Sequence, residues 1–152
     1  MFNSIKIKPS YRVGYMDKFV EGEIVKVEHK TNFADIIIDE KSLFEEFKKY
    51  DLISTLGCFV DDFKKHSVER LLLESPSELE NNRQQIYICP LCGDIYCGAI
   101  TCLIDRDGEV VVWRDFRFEN GDIESSYVLK NSKTYRFLWT EYEPVIRSTL
   151  NM

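Results

Sequence analysis

The segment that most restricts the fold is RQQIYIC, residues 83–89, followed by AITCLID at 99–105 and EVVVWRDFRF at 109–118. Each run is rich in β-branched and aromatic residues and short enough for a strand, and turn-forming residues separate them. Asp107-Gly108 accepts the positive φ angles of a type I′ turn, so the last two runs are expected to close as a hairpin. Asn120-Gly121 repeats the signal ahead of DIESSYVL. A chain built on such hairpins must carry an antiparallel sheet.

Other segments fill in the frame. Ile5 and Ile7 alternate with lysines, and Ile24-Val25-Lys26-Val27 and Ala34-Asp35-Ile36-Ile37-Ile38 flank Thr31-Asn32, which is expected to turn the chain between two strands. In KSLFEEFKKY, residues 41–50, Leu43, Phe44, Phe47 and Tyr50 recur at helical spacing, with Ser42 and Glu45 forming a capping box. FVDDFKKHSVERLLLE predicts a second helix, with Phe59, Phe63, Val68, Leu71 and Leu72 on its buried face and Ser75-Pro76 as its end. WTEYEPVIRSTL predicts a third, with Tyr142, Val145, Ile146, Thr149 and Leu150 on one face, Thr140 and Glu143 as its cap, and Pro144 near its first turn. The expected fold is α+β, a single domain over residues 1–152, with a largely antiparallel twisted sheet and about three helices.

Within this frame, CPLCGDIYCGAITC concentrates four of the five cysteines in fourteen residues. Cysteines two apart can aim both sulfurs at one ion, and Gly93 permits the turn around it. The spacing Cys89-x2-Cys92-x4-Cys97-x4-Cys102 resembles the retroviral nucleocapsid zinc knuckle with Cys for its His, but acids rather than basic residues follow it. Cys89, Cys92, Cys97 and Cys102 are therefore candidate ligands of a structural zinc, the first three before the fourth, because Ala99–Ile104 has the pattern of a core strand. The alternative is that these thiols are small buried fillers. A thiol oxidoreductase would need the Cys-x-x-Cys to open a helix, whereas proline and glycine flank it between expected strands.

ERLLLESPSEL, IYICPLCGDIYCGAIT and VVWRDFRFENG together resemble a family of small bacterial proteins of unassigned mechanism. Its signature is a Leu-Leu-Leu-Glu step, Cys-Pro-x-Cys-Gly-Asp-x-x-Cys-Gly-Ala and a Trp-x-Asp-Phe strand. The likeness covers residues 68–121, with a weaker echo at 135–150. Members are sometimes labelled oxidoreductases, and the position of Cys102 commonly holds another residue in that pattern. No Gly-x-Gly-x-x-Gly segment follows an expected strand, so a Rossmann dinucleotide site is not expected.

The net charge is −6, with eleven acids against six bases over residues 39–80 and seven against three over 105–125. Phosphate neutralisation by Lys and Arg supplies most nucleic-acid affinity, so nucleic acid is not the expected partner. No apolar run approaches the ~18 residues of a membrane span, and the N-terminus lacks a signal-peptide pattern, which points to the cytoplasm. His29 and His66 have no recognised ligand or catalytic spacing, and Cys58, beside Phe59 and Val60, is expected to be a core thiol. Trp113, Phe116 and Phe118 with Arg114 and Arg117 are expected to alternate between core and surface. The sequence favours a non-enzymatic protein that binds a basic partner, in its sharpest form an immunity protein neutralising a secreted bacterial toxin. Asp61, Asp62, Asp105, Asp107 and Glu109 are its candidate contact residues. A structural zinc-knuckle protein and a small thiol oxidoreductase are the alternatives.

Overall fold

The longest continuous feature is an antiparallel ribbon of two sixteen-residue strands, β1 (Ile5–Val20) and β2 (Glu23–Ile38), in a computed structural model that describes residues 1–79, 81–121 and 126–152. Its register is unbroken from Ile5↔Ile38 to Val20↔Glu23. The turn is Glu21-Gly22, both with positive φ, as a type I′ turn requires. Thr31-Asn32 is not a turn: Thr31 pairs with Arg12 and Asn32 with Tyr11 in the middle of the ribbon. A β-branched Thr suits the pleat, and one glycine at residue 22 outweighs the turn preference of Asn32.

A second two-residue turn at Asp39-Glu40 adds β3 (Lys41–Ser42) to β2. Helix α1 (Leu43–Glu46) follows, and the Ser42 hydroxyl caps it by accepting from Glu45 N–H at 3.1 Å while donating to buried Asp35 at 2.6 Å. The helix does not run on to Tyr50. It tightens into a 3₁₀ turn at Lys48–Tyr50 that Asp51 ends in the left-handed region. Phe47, between them, packs in the core against Tyr87 and Phe116.

After β4 (Ile53–Ser54), helix α2 (Asp61–Leu71) buries Val68 and Leu71 as expected, and Leu72 just beyond it. It ends before Ser75-Pro76. Leu73 takes a positive φ, and the bonds Leu73 N–H to Arg70 O and Glu74 N–H to Glu69 O close a Schellman motif. Phe59 lies outside the helix on the surface, edge-on to Phe63.

The remaining strands are β5 (Gln84–Ile88), β6 (Ala99–Asp107), β7 (Val110–Glu119), β8 (Tyr127–Val128) and β9 (Tyr135–Leu138). They form an antiparallel six-stranded sheet in the order β4-β5-β6-β7-β8, with β9 also on β7. The expected β6–β7 hairpin is present, with its turn one residue later than expected. Asp107 pairs with Val110, so Gly108-Glu109 is central, and only Gly108 has a positive φ, the pattern of a type II′ turn. Part of the strand expected after Asn120-Gly121 falls on 122–125, outside the described residues.

Alternation along β7 is broken where Cys102 faces two residues, because the register shifts between Thr101 and Leu103 and Asp115 adopts φ 57°. This bulge carries both Trp113 and Phe116 into the core, which strict alternation would have forbidden. Arg114 stays exposed on Asp105. Arg83, only 3% exposed, serves the bulge: it donates through Nη1 to Asp115 Oδ2 at 2.9 Å, through Nε to Thr101 Oγ1 at 2.8 Å, and through Nη2 to the Asp115 and Thr101 carbonyls. Glu119 completes the set by accepting from Thr101 Oγ1 at 2.7 Å.

Helix α3 (Trp139–Ser148) closes the chain. Tyr142 and Ile146, with Thr149 just beyond, are buried, and Tyr142 donates to Leu71 O at 2.6 Å while accepting from Trp113 Nε1 at 3.1 Å. The Thr140–Glu143 cap does not form. The helix starts one residue after Leu138, whose side chain makes no capping bond, and Trp139 N–H bonds Glu109 O at 2.7 Å instead. Pro144 consequently lies inside the helix, with its side exposed, and Leu150 is exposed as well.

Among the described residues two apolar clusters result. The larger joins the base of the ribbon to the six-stranded sheet and α3. The smaller comprises Phe33, Ile53, Cys58, Ile88 and Ala99. No helix among the described residues is long and apolar enough to cross a membrane.

Candidate metal centre

The smaller cluster anchors both ends of the cysteine loop, since Ile88 immediately precedes Cys89 and Ala99 follows Cys97-Gly98. Between these anchors the backbone folds twice. Gly93 N–H bonds Cys89 O at 3.0 Å with Gly93 at φ 68°, a conformation glycine adopts without steric cost, and a side chain there would press against the Phe59 ring. Asp94 then accepts from Tyr96 N–H at 2.9 Å and starts a 3₁₀ turn, Ile95–Cys97, which Gly98 ends at φ 103°.

These two turns bring Cys89, Cys92 and Cys97 together, with all three sulfurs within 4.8 Å of one another. Cys92 and Cys97 are exposed with their sulfurs 3.1 Å apart, and Cys89 is half-buried. Cys102, the fourth candidate of the sequence pattern, stands elsewhere. It is wholly buried on β6 in the larger cluster, opposite the β7 bulge. The sheet ladder explains this placement, since Cys102 pairs with Gln84 as Thr101 pairs with Gln85 and Ile100 with Tyr87.

Burial and hydrogen bonding act differently on the thiols. Burial pushes Cys58 up to about 12 and raises Cys102 well above the usual thiol range. For Cys89, partial burial also acts upward, but the backbone N–H groups of Leu91 and Cys92, with the neighbouring thiols, outweigh it and hold the sulfur below its ordinary pKa. Cys97 moves the other way, to about 12, chiefly through its hydrogen bond with Cys92. Asp94 N–H points at Cys92 Sγ from 3.4 Å. Within the loop the thiolate is thus favoured at Cys89. Arg12, clamped by Asp51 at 2.8 and 2.5 Å, lies near enough to respond to that charge.

The Cys-x-x-Cys does not open an α-helix; Cys92 precedes a single 3₁₀ turn. Cys58 is a core thiol that donates to Ser54 O at 3.4 Å, and His66 is exposed. His29 lies within β2, 3.2 Å from the Thr31 hydroxyl. The candidate acids stand on separate elements. Asp61 and Asp62 occupy the first turn of α2, where the helix dipole favours them, and Asp61 is 3.8 Å from Lys64. Asp105, Asp107 and Glu109 lie at the β6–β7 hairpin, with Asp105 2.9 Å from Arg114 and Glu109 3.9 Å from Arg106.

Sequence reasoning missed the outer half of the ribbon. Tyr11, Val13, Tyr15, Phe19, Val20, Ile24 and Val25 are all exposed there. The signal was present in the alternation of residues 11–19, but the misplaced turn hid it. No family model, curated protein or solved structure matches this chain.

Proposed function

We propose that this protein acts by binding another protein, and in its sharpest form neutralises a secreted bacterial toxin as an immunity protein. The observation that carries this reading is the apolar outer ribbon. Because the β1–β2 register is unbroken, Tyr11, Val13, Tyr15, Phe19 and Ile24 lie on the same face as Ile5, Ile36 and Ile38. That face is core at the base and exposed at the tip. Exposed aromatics supply large contact area with few rotatable bonds, and tyrosine is common among interface hot spots.

The ribbon face carries both signs of charge, with Lys26, Glu28 and Lys30 among the apolar groups, so the net −6 of the chain resides on the body. A basic partner would be steered by the body and held by the ribbon. The acids of the β6–β7 hairpin, partly neutralised by Arg106 and Arg114, serve steering rather than tight contact.

The test is co-expression with a toxin domain encoded directly upstream, scored by growth and by complex formation. Protection is expected, with Tyr15→Asp/Phe19→Asp abolishing it and reversal of Asp61 and Asp62 slowing association only at low salt. No complex with the upstream product, or full protection by the ribbon double variant, would sink this reading.

A further inference from the structure

We infer that Cys89, Cys92 and Cys97 form a three-thiolate site for a thiophilic divalent cation, Zn²⁺, whose fourth coordination position is open at the protein surface. The inference does not depend on the partner reading.

Tetrahedral zinc with bonds of about 2.3 Å places its sulfurs about 3.8 Å apart. The cluster brackets that spacing, from 3.1 Å between Cys92 and Cys97 to the 4.8 Å limit for the set. The backbone contributes a donor: the Asp94 amide points at Cys92 Sγ from 3.4 Å. Such N–H···S contacts lower the charge density on metal-bound thiolates and orient them. The two glycines are part of the same arrangement. A side chain on Gly93 would meet Phe59, and one on Gly98 would meet Phe118 at about 3.0 Å, so each turn is held closed against an aromatic ring.

A disulfide explains the cluster less well. It would use two of the three sulfurs and leave the convergence of the third on them unexplained. A closed four-cysteine shell does not fit either, because Cys102 and Cys58 are both fully committed to apolar clusters. Among the described residues the set comprises three ligands. Because Cys92 and Cys97 are exposed, the remaining vertex faces outward, where water or a donor group from another molecule can enter. That geometry distinguishes this centre from a purely structural four-cysteine site, which leaves no position for an exogenous ligand.

The full-length chain, purified under reducing conditions, is titrated with Zn²⁺ and separately with Co²⁺. About one equivalent of either should bind. Cobalt should give thiolate charge-transfer absorption and intense tetrahedral d–d bands, and added imidazole should shift the d–d bands as it enters the open vertex. Exposed Cys97→Ser should weaken zinc binding at least about a hundredfold, while Cys102→Val should change it by less than about twofold, with circular dichroism checking that both variants fold. Less than about half an equivalent of zinc, or a Cys92–Cys97 disulfide formed in preference to metal binding, would overturn the site. A cobalt spectrum indifferent to imidazole, or lost in folded Cys102→Val, would overturn the open three-thiolate geometry.

Discussion

Ile36 and Ile24 lie on the same strand and point to the same face of the same ribbon, yet one is 0% exposed and the other 72%. The ladder treats them alike. What separates them is the body beneath: the base of the ribbon rests on the six-stranded sheet and α3, whereas the tip stays exposed among the described residues. Strand pairing therefore fixed the shape of the ribbon, while burial assigned its two halves different roles. The inner half stabilises the fold, and the outer half presents an apolar surface.

The sharpest contrast to that exposed apolar tip is the buried charge in the body. Replacing Arg83 with Leu would take the buried cation from Glu119 and leave Asp115 with the more exposed Arg117, and a loss of about 3–5 kcal/mol is expected by chemical denaturation. A much smaller cost would mean that the bulge holds its shape without the arginine. The two isoleucines make the next test. Ile36→Ala should cost about 2–5 kcal/mol and Ile24→Ala no more than about 0.5 kcal/mol, the first because it opens a cavity and the second because it opens none. Equal effects would erase the distinction between the two halves. Tyr142→Phe should cost about 1–3 kcal/mol, since it removes the donor to Leu71 O and leaves Trp113 Nε1 buried without its acceptor.

The smallest effect concerns pH. Partial burial acts to raise the Asp115 pKa, but hydrogen bonding and charge from Arg83, with Arg117, outweigh it and hold the carboxyl below its ordinary value. A depressed folded-state pKa contributes stability above the unfolded value of about 3.9, and that contribution is lost as pH falls through the folded value. Asp115→Asn, which keeps a side chain that tolerates the positive φ, should thus be less stable than the native chain at neutral pH. The gap between their denaturation midpoints should close below pH of about 4. A gap independent of pH would show that the carboxylate charge is not what holds Arg83.

Local signals were legible where a few adjacent residues decide the outcome. Ser42 capped its helix because a hydroxyl three residues ahead of Glu45 N–H is a local geometry. The helical face of Val68, Leu71 and Leu72 and the β6–β7 pairing followed from periodicity. Turn position was less legible. Thr31-Asn32 and Glu21-Gly22 compete within one apolar stretch, and only the pairing of all sixteen residues with β1 chooses between them. Alternation along β7 failed at Asp115 because a bulge is made by its partners, here Arg83 from before β5 and Thr101 on β6.

The cysteines divide along the same line. Spacing alone determined that Cys89, Cys92 and Cys97 could meet, because two glycine turns over ten residues are local chemistry. Spacing also admitted Cys102, which the tertiary structure placed in the core, where the apolar surface of a whole strand outweighs the pull of one sulfur. Composition likewise determined the sign of the molecular charge, but only the packed body decided that Tyr15 and Phe19 would remain outside it. Sequence specifies which groups a short segment can bring together; the depth at which each one ends is set by contacts among segments far apart in the chain.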